Sequence, residues 1–215
     1  MSTRHRLGPH RDPAVDQAVL EAARSLLVER GYGAASIDAI ATRAGVSRPA
    51  IYRRWPSKAH LIAQAVFPDV DTDEVAGDIT AEIRKVIRGT IQLFGAPAAR
   101  EALPGLMSDM RADSTLYHKL SARLDTPTRR ELAEYLRSDD AAASPDSASN
   151  TLLDTIAGAA LFAMCIRNID DLDGFAESLE NLLLYGLVGD PANRGRQPSG
   201  AGPSDQSHAG AARRR

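Results

Sequence analysis

The chain has 215 residues, of which 43% are hydrophobic and 25% charged, and its formal net charge at pH 7 is −2. This length and composition predict a globular protein of one or two compact units. Because Cys165 is the single cysteine, a disulfide or a multi-cysteine zinc site within one chain is excluded. The longest uncharged stretch, residues 155–166, is shorter than the ~18 apolar residues of a membrane span. The N-terminus is polar and basic, so we expect a cytoplasmic protein that does not enter the membrane.

The net charge is small because regions of opposite charge cancel. Residues 1–60 carry ten Lys or Arg against five Asp or Glu, a net +5. Residues 61–190 carry eleven against twenty-two, a net −11, and residues 191–215 carry five against one, a net +4. A basic N-terminal region suits a polyanion such as DNA, which would repel the acidic region. An unevenly charged solvated surface would explain the same counts, so the motifs have to decide.

The first two predicted helices follow from capping signals and apolar spacing. Asp12-Pro13 is a typical helix start, and apolar residues recur at helical spacing until Gly31 ends the helix. Ser36 is placed to cap a second, shorter helix that Gly45 ends. The sequence therefore predicts a long helix, a break and a short helix.

The third and fourth predicted helices are separated by a proline. Ser47 is placed to cap a third helix, which Pro56 halts at Trp55. Ser57 then caps a fourth helix, which carries Lys58 in its first turn. Two short helices joined by a glycine turn and buttressed by a longer helix predict a helix-turn-helix.

The third helix carries the residues expected to face DNA. Ile51 is expected to anchor it in the core. We expect Arg48 to read a guanine with two donors, while Tyr52, Arg54 and Lys58 reach phosphates. The outer face would be shared by Arg48, Pro49, Tyr52, Arg53 and Arg54.

The stretch "ARSLLVERGYGAASIDAIATRAGVSRPAIYRRWPSKAHLI" resembles the DNA-binding domain of the tetracycline-repressor (TetR) family of bacterial transcription regulators. The likeness lies in the Gly-Tyr break after the first helix, the "AGVS" turn and the "IYRRWPSK" run, and it covers roughly residues 14–66. It implies base reading by Arg48, Pro49 and Ala50. It implies phosphate contacts by Tyr52, Lys58 and hydroxyls flanking the turn, which are Ser36 and Ser47 here.

The chain departs from the family pattern at three positions and adds a basic arm. Ala34-Ala35 stands where a threonine pair is common, and His60 stands where an acid is frequent. Ser36 can keep one of the hydroxyl contacts. The arm, residues 1–12 with Arg4, Arg6 and Arg11, either enters the minor groove or is disordered and inert.

The remaining chain predicts an all-α body without strand alternation. We divide the chain into the arm, a helix-turn-helix domain over 13–66 (the head), an effector-binding and dimerisation domain over 67–190 (the body), and a disordered basic tail over 191–215. In the body, 138–149 is predicted as a loop. Predicted helices cover 79–94, 98–112 with a bend at Pro104-Gly105, 114–137 with an interruption or a kink at Pro127, 150–167 and 172–188.

The sequence lacks the motifs of the common enzyme classes. It has no phosphate loop, nucleophile elbow, His-x-x-x-His pair or glycine-rich dinucleotide turn. We therefore predict a non-enzyme without cofactor or metal. The alternative to a DNA-binding regulator is a helical ligand-binding or scaffold protein whose head binds a protein partner, and the salt dependence of duplex binding separates the two.

The resemblance further implies a homodimer that binds a palindromic operator, represses transcription and is released by a small-molecule effector. The last two helices would form the dimer interface, and both are more apolar than one face of a monomer requires. The dimer candidates are Leu179, Leu182, Leu183 and Leu187. Candidates for an apolar effector pocket are Met107, Met110, Tyr117, Tyr135, Phe162 and Met164, although residues of these types are more often ordinary core.

Overall fold

The computed structural model describes residues 12–68, 78–135 and 144–189. Regular structure in these ranges is helical, without strands, which confirms the predicted fold class. Residues 1–11 of the arm, residues 69–77 between head and body, residues 136–143 and the tail lie outside the described residues. The helices are α1 (Pro13–Ala34), α2 (Ile37–Ala44), α3 (Arg48–Tyr52), α4 (Lys58–Val66), α5 (Ile79–Gly95), α6 (Pro97–Ala112), α7 (Ser114–Tyr135), α8 (Pro145–Cys165) and α9 (Leu172–Gly189).

The helix starts of the head are set by short polar side chains. Asp12 accepts a hydrogen bond from the amide of Ala14 at 2.9 Å, and Ser36 accepts one from Ala39 at 3.2 Å. Ser57 caps α4 through the amide of His60 at 3.3 Å. Ser47 occupies the N-cap position of α3, but its side chain makes no capping hydrogen bond. The predicted side-chain cap is therefore wrong at this one helix.

Two glycines with positive φ shape the head. Gly45 ends α2 at φ +67°, as the sequence predicts. Gly31, at φ +72° and ψ 174°, breaks the long first helix, and one further helical turn continues to Ala34. The head core includes the buried residues Leu26, Leu27, Ile40, Ile51, Trp55, Leu61 and Ile62.

The body is anchored on the head by α6. This helix packs on both α1 and α4, and it continues through Pro104. Helix α7 likewise runs through Pro127. Helix α8 starts at Pro145, with Ser144 accepting from the amide of Ser147 at 3.2 Å. The expected loop over 138–149 is therefore wrong for residues 145–149, because a serine cap followed by proline starts a helix there.

Helices α8 and α9 are the most apolar of the body. Residues 146–165 of α8 have a mean hydropathy of 1.2 and enough length to cross a bilayer, and 28% of them are buried. Length and composition alone are weak grounds for a membrane span, because core helices of water-soluble proteins share them. The chain divides into two compact units, of which the first ends at Glu180 and the second begins at Asn181. The boundary between them falls within the residue range of α9.

Candidate nucleic-acid interface

Helix α3 presents its polar face to solvent while one side chain fixes it to the core. Ile51 is fully buried, as predicted. The exposed residues are those of the predicted interface: Ser36, Ser47, Arg48, Pro49, Tyr52 and Arg53, with Ala50 partly exposed. The structure therefore brings most of the predicted DNA contacts onto one short, rigidly held helix and the residues beside it.

The guanidinium of Arg48 forms an ion pair with a carboxylate of the preceding helix. Its Nε lies 3.0 Å from Oδ1 of Asp38. The two side chains are 56% and 66% exposed, so this ion pair lies at the surface. The sequence analysis did not single out Asp38 for the site; its place ten residues before Arg48, across the turn, is the signal that could have found it.

Arg54 does not belong to the exposed face. Its Nε donates a hydrogen bond to Oδ1 of Asp16 on α1, and its Nη1 donates one to the carbonyl of Ala50 at 3.1 Å. The side chains of Arg54 and Asp16 are only 14% and 12% exposed. The predicted phosphate contact of Arg54 is therefore corrected: this guanidinium joins α1 to the end of α3.

Lys58 is turned back toward the end of the first helix. Its Nζ donates to the carbonyl of Tyr32 at 2.6 Å and lies 4.1 Å from the centroid of the Tyr32 ring. Burial lowers the pKa of Lys58, although the carboxylate of Asp109 opposes this shift. A phosphate contact by Lys58 therefore requires its side chain to rotate away from Tyr32.

Tyr32 joins this lysine to the body. Its hydroxyl donates to Oδ2 of Asp109 on α6 at 2.5 Å. Burial, followed by the bond to Asp109, raises the pKa of Tyr32, so the phenol keeps its proton. Its ring lies against Gly105, where an added Cβ would come within 2.1 Å of Cδ1. Asp109 carries no sequence signal for this role, because it lies 77 residues from Tyr32.

The residues expected to line an effector pocket are dispersed. Met164 is 2% exposed, whereas Met107, Tyr117 and Phe162 are 45%, 50% and 56% exposed, and Met110 and Tyr135 are partly exposed. The high exposure places Phe162 at the surface instead of in a pocket. None of the six lines either of two surface clefts. One cleft is formed by Leu26, Arg30, Asp38, Ala39, Thr42 and Arg43, and the other by Arg88, Ile91, Gln92, Leu172, Asp173 and Ala176.

The residues predicted for the dimer interface differ in their exposure to solvent. Leu179 is 5% exposed, so it belongs to the core of the protomer and its assignment to the interface is corrected. Leu182 is 44% exposed and Leu183 is partly exposed, while the side chain of Leu187 lies outside the described residues. At the end of α8, Phe162 and the following Ile166 are 56% and 68% exposed. Ile166, which the sequence analysis did not select, lies one turn from Phe162 beyond the helix end.

Metal binding finds no support in the part of the chain that the structure describes. There, no three or more His, Cys, Asp or Glu side chains are grouped so that they could hold a metal ion.

Comparison with known proteins extends this picture. Residues 19–65 match the model of bacterial regulatory proteins of the tetR family. The chain is 30% identical over 125 residues to the uncharacterized HTH-type transcriptional regulator YdeS of Bacillus subtilis. This match covers 57% of this chain and 63% of YdeS. It is 38% identical over 72 residues to the HTH-type transcriptional activator FasR of Mycolicibacterium smegmatis. This match covers 34% of this chain and 30% of FasR. The chain thus spans less than two thirds of these relatives.

Solved structures share the fold over about four fifths of the chain. The regulator FadR from Bacillus subtilis, solved with stearoyl-CoA, has a TM-score of 0.60 at 17% identity and covers 80% of this chain and 98% of FadR. NalD, the secondary repressor of the MexAB-OprM multidrug efflux pump in Pseudomonas aeruginosa, has a TM-score of 0.60 at 20% identity and covers 81% of this chain and 96% of NalD. At these identities the likeness shows the fold. Residues 19–65 thus form a DNA-binding domain similar to that of bacterial regulatory proteins of the tetR family, within a chain whose fold is similar to that of these solved regulators.

Proposed function

We propose that the protein is a transcriptional regulator that binds a palindromic DNA operator as a homodimer. The observation that carries this proposal is the polar face of α3, where Arg48, Tyr52 and Arg53 are exposed while Ile51 fixes the helix to the core. A short, rigidly anchored helix of this kind fits the major groove. We place the protein in the cytoplasm with its DNA and assign it no catalytic activity.

The contacts divide into base reading and phosphate binding. Arg48 reads a guanine, and Pro49 and Ala50 pack against neighbouring base edges. Phosphates are held by Tyr52, Arg53 and the hydroxyls of Ser36 and Ser47. Lys58 adds a phosphate contact once its ammonium leaves the carbonyl of Tyr32.

Homodimerisation rests on the apolar surface that α8 exposes. Phe162 and Ile166 together form a patch that water would solvate poorly, and we propose that a second copy of the chain covers it. Leu182 and Leu183 of α9 remain further candidates for the interface. The two heads of the dimer then read half-sites one helical turn apart, about 34–36 Å, or a multiple of this spacing.

A small-molecule effector in the body is proposed to release the repressor from DNA. The physical route would run through α6, because Asp109 and Gly105 of this helix hold Tyr32, and Tyr32 holds Lys58. An effector that shifts α6 would change the position of the head and the availability of Lys58. The effector shifts the balance only by its differential affinity for the two states, so a 100-fold loss of operator affinity requires about 2.7 kcal/mol of coupling.

The test is duplex binding with variants of the α3 face. Selection from random duplexes should enrich a palindrome, and binding should weaken with salt at a log–log slope of about −0.9 per neutralised phosphate. Arg48→Ala should cost about 1–3 kcal/mol on the selected site and relax its preference. Arg53→Ala should weaken all duplexes nearly alike and reduce the slope by about 1.

The matched control is Arg111→Ala, which removes an exposed arginine from α6 in the body and should leave duplex binding unchanged. If no duplex is enriched and binding does not depend on salt, the proposal is wrong. The alternative, a head that binds a protein partner, would then be favoured.

A further inference from the structure

Asp38 is an acidic residue at the edge of the surface that we propose binds DNA. It is the second residue of α2, and its side chain is 66% exposed. Next to DNA, a free carboxylate at this place would be repelled by phosphates. Its Oδ1 instead lies 3.0 Å from Nε of Arg48, which is the first residue of α3.

The pair is not needed to hold the fold. Arg48 is 56% exposed, and surface ion pairs of this kind contribute little to stability. The backbone of α3 is held independently by the buried Ile51 and by the hydrogen bond from the amide of Ala50 to the carbonyl of Ser47 at 2.9 Å. Losing the pair would therefore free the Arg48 side chain without moving its helix.

The pair is compatible with guanine reading by Arg48. A guanidinium reads guanine with two donors directed at O6 and N7. Because Asp38 lies at Nε, the terminal amino groups Nη1 and Nη2 remain for the base. A long side chain also loses rotamer freedom when it binds, and a side chain that is already held loses less.

We propose that Asp38 is a specificity-determining residue that acts through Arg48. Its carboxylate holds the guanidinium ready for guanine and disfavours contacts of Arg48 with phosphates of other sequences. Asp38 thereby raises the affinity for the right site relative to all others while lowering nonspecific binding. This inference rests on the proposed function, because it assumes that Arg48 reads a base.

A second ion pair of the head supplies the control. Arg43 of α2 binds Glu29 of α1 through two hydrogen bonds of 2.5 and 2.7 Å. Glu29 is exposed like Asp38, but its partner is not on α3. Replacing either acid with alanine removes the same charge from the head, so both variants should bind all duplexes somewhat more tightly. Only the loss of Asp38 should change the preference.

The experiment measures two affinities, one for the selected duplex and one for the same duplex in which the G·C pair read by Arg48 is replaced by A·T. The quantity compared between variants is the ratio of the first affinity to the second. Asp38→Ala should lower this ratio by about 2- to 5-fold, because an exposed ion pair can preorganise Arg48 by no more than its own small free energy. Glu29→Ala should leave the ratio unchanged. In an Arg48→Ala background, Asp38→Ala should no longer affect the ratio, because the reading group is absent.

Two results would overturn the inference while leaving the proposed function in place. One is an unchanged ratio for Asp38→Ala in a protein that still selects a duplex; the other is an equal change with and without Arg48. If the wild-type protein selects no duplex, the proposed function fails and this inference fails with it. Circular dichroism of each variant shows that the head remains folded, as the exposure of both side chains leads us to expect.

Discussion

At the scale of single residues, Arg53 and Arg54 are adjacent in sequence and have opposite surroundings. Arg53 is exposed on the α3 side, whereas Arg54 is bonded to Asp16 with both side chains largely buried. Burial reduces the screening of this pair by water. Removing the arginine would leave the carboxylate of Asp16 with poor solvation and without that partner.

We therefore expect Arg54→Ala to lower the free energy of unfolding by about 2–4 kcal/mol. Arg53→Ala should change it by no more than about 0.5 kcal/mol, because the side chain is exposed. Urea unfolding followed by circular dichroism measures both. The double variant Asp16→Ala/Arg54→Ala should recover part of the loss, since no charge then remains buried. Equal effects of the two single variants would contradict this account of the pair.

His60 is a second residue whose role depends on its surroundings. Its side chain is 7% exposed, and its Nδ1 lies 3.0 Å from Oγ of Ser57. Its Nε2 is buried and has no hydrogen-bond partner among the residues that the structure describes. Burial and then the charge of Lys119 lower the pKa of His60, while Asp113, 3.8 Å away, raises it. The net effect is a pKa below the ordinary value of 6.5, so the folded protein favours neutral His60.

This shift predicts a pH dependence of stability. Between the folded pKa and 6.5, the unfolded chain binds more protons at this position than the folded protein. The stabilisation is therefore complete above pH 6.5 and is lost as the pH falls toward the folded pKa. From pH 7 to pH 5, the free energy of unfolding of the wild type should fall more steeply than that of His60→Asn, by at most about 1.4 kcal/mol per pH unit. Parallel slopes in urea unfolding at several pH values would show that His60 does not titrate in this way.

At the scale of secondary-structure elements, the contact between α6 and the head depends on a residue without a side chain. Gly105 lies on α6 directly after Pro104, and the Tyr32 ring fills the place where a Cβ would project. The Tyr32 hydroxyl reaches Asp109 on the same helix. A larger residue at 105 would have to displace the ring and weaken this hydrogen bond.

Gly105→Ala is therefore expected to destabilise the protein by about 1–3 kcal/mol, the usual effect of overpacking. The control is Gly89→Ala on the exposed face of α5, where a Cβ would meet no atom within 4 Å. This change should stabilise by about 0.5–1 kcal/mol, because alanine favours the helix. Thermal unfolding distinguishes the opposite signs. If both variants stabilise, the packing of Tyr32 on α6 is looser than the structure indicates.

Local signals made most of the elements predictable from the sequence. Asp12, Ser36, Gly45 and Ser57 act within a few residues of the helix ends that they set, so their identity suffices. The start of α8 was missed because the small polar composition around Ser144 also suits a loop. The exposed face of α3 was predictable for the same local reason, once Ile51 fixed which side is buried.

What the sequence left open depends on partners far along the chain. Arg54 meets Asp16 across 38 positions, and Lys58 meets the carbonyl of Tyr32 across 26. Leu179 has the same spacing as the leucines that follow it, yet it is buried within its own protomer. Periodicity identifies the apolar side of a helix, but only the packing of the fold decides which apolar residues remain for a partner.

At the scale of the whole molecule, the exposed apolar surface at the end of α8 predicts a dimer that one charged substitution would disrupt. Phe162→Glu should raise the dimer dissociation constant at least about 30-fold, since an aromatic anchor is lost and a charge would be buried without a partner. Met107→Glu on α6, which also replaces an exposed apolar residue with an acid, should leave the dimer intact. Sedimentation velocity over a range of concentrations measures both. A Phe162→Glu protein that remains dimeric would place the interface elsewhere.

The same variant tests whether dimerisation is what makes the operator site specific. Two linked heads bind adjacent half-sites with a high effective concentration, which can raise affinity by about 10²–10⁴ over one head without any new contact. The wild type should therefore bind a full palindrome far more tightly than a duplex with one half-site. Phe162→Glu leaves α3 unchanged, so it should bind both duplexes with nearly the same, weak affinity per half-site. A variant that is monomeric in solution yet still strongly prefers the full palindrome would show that the heads cooperate through the DNA or through direct contact instead of through α8.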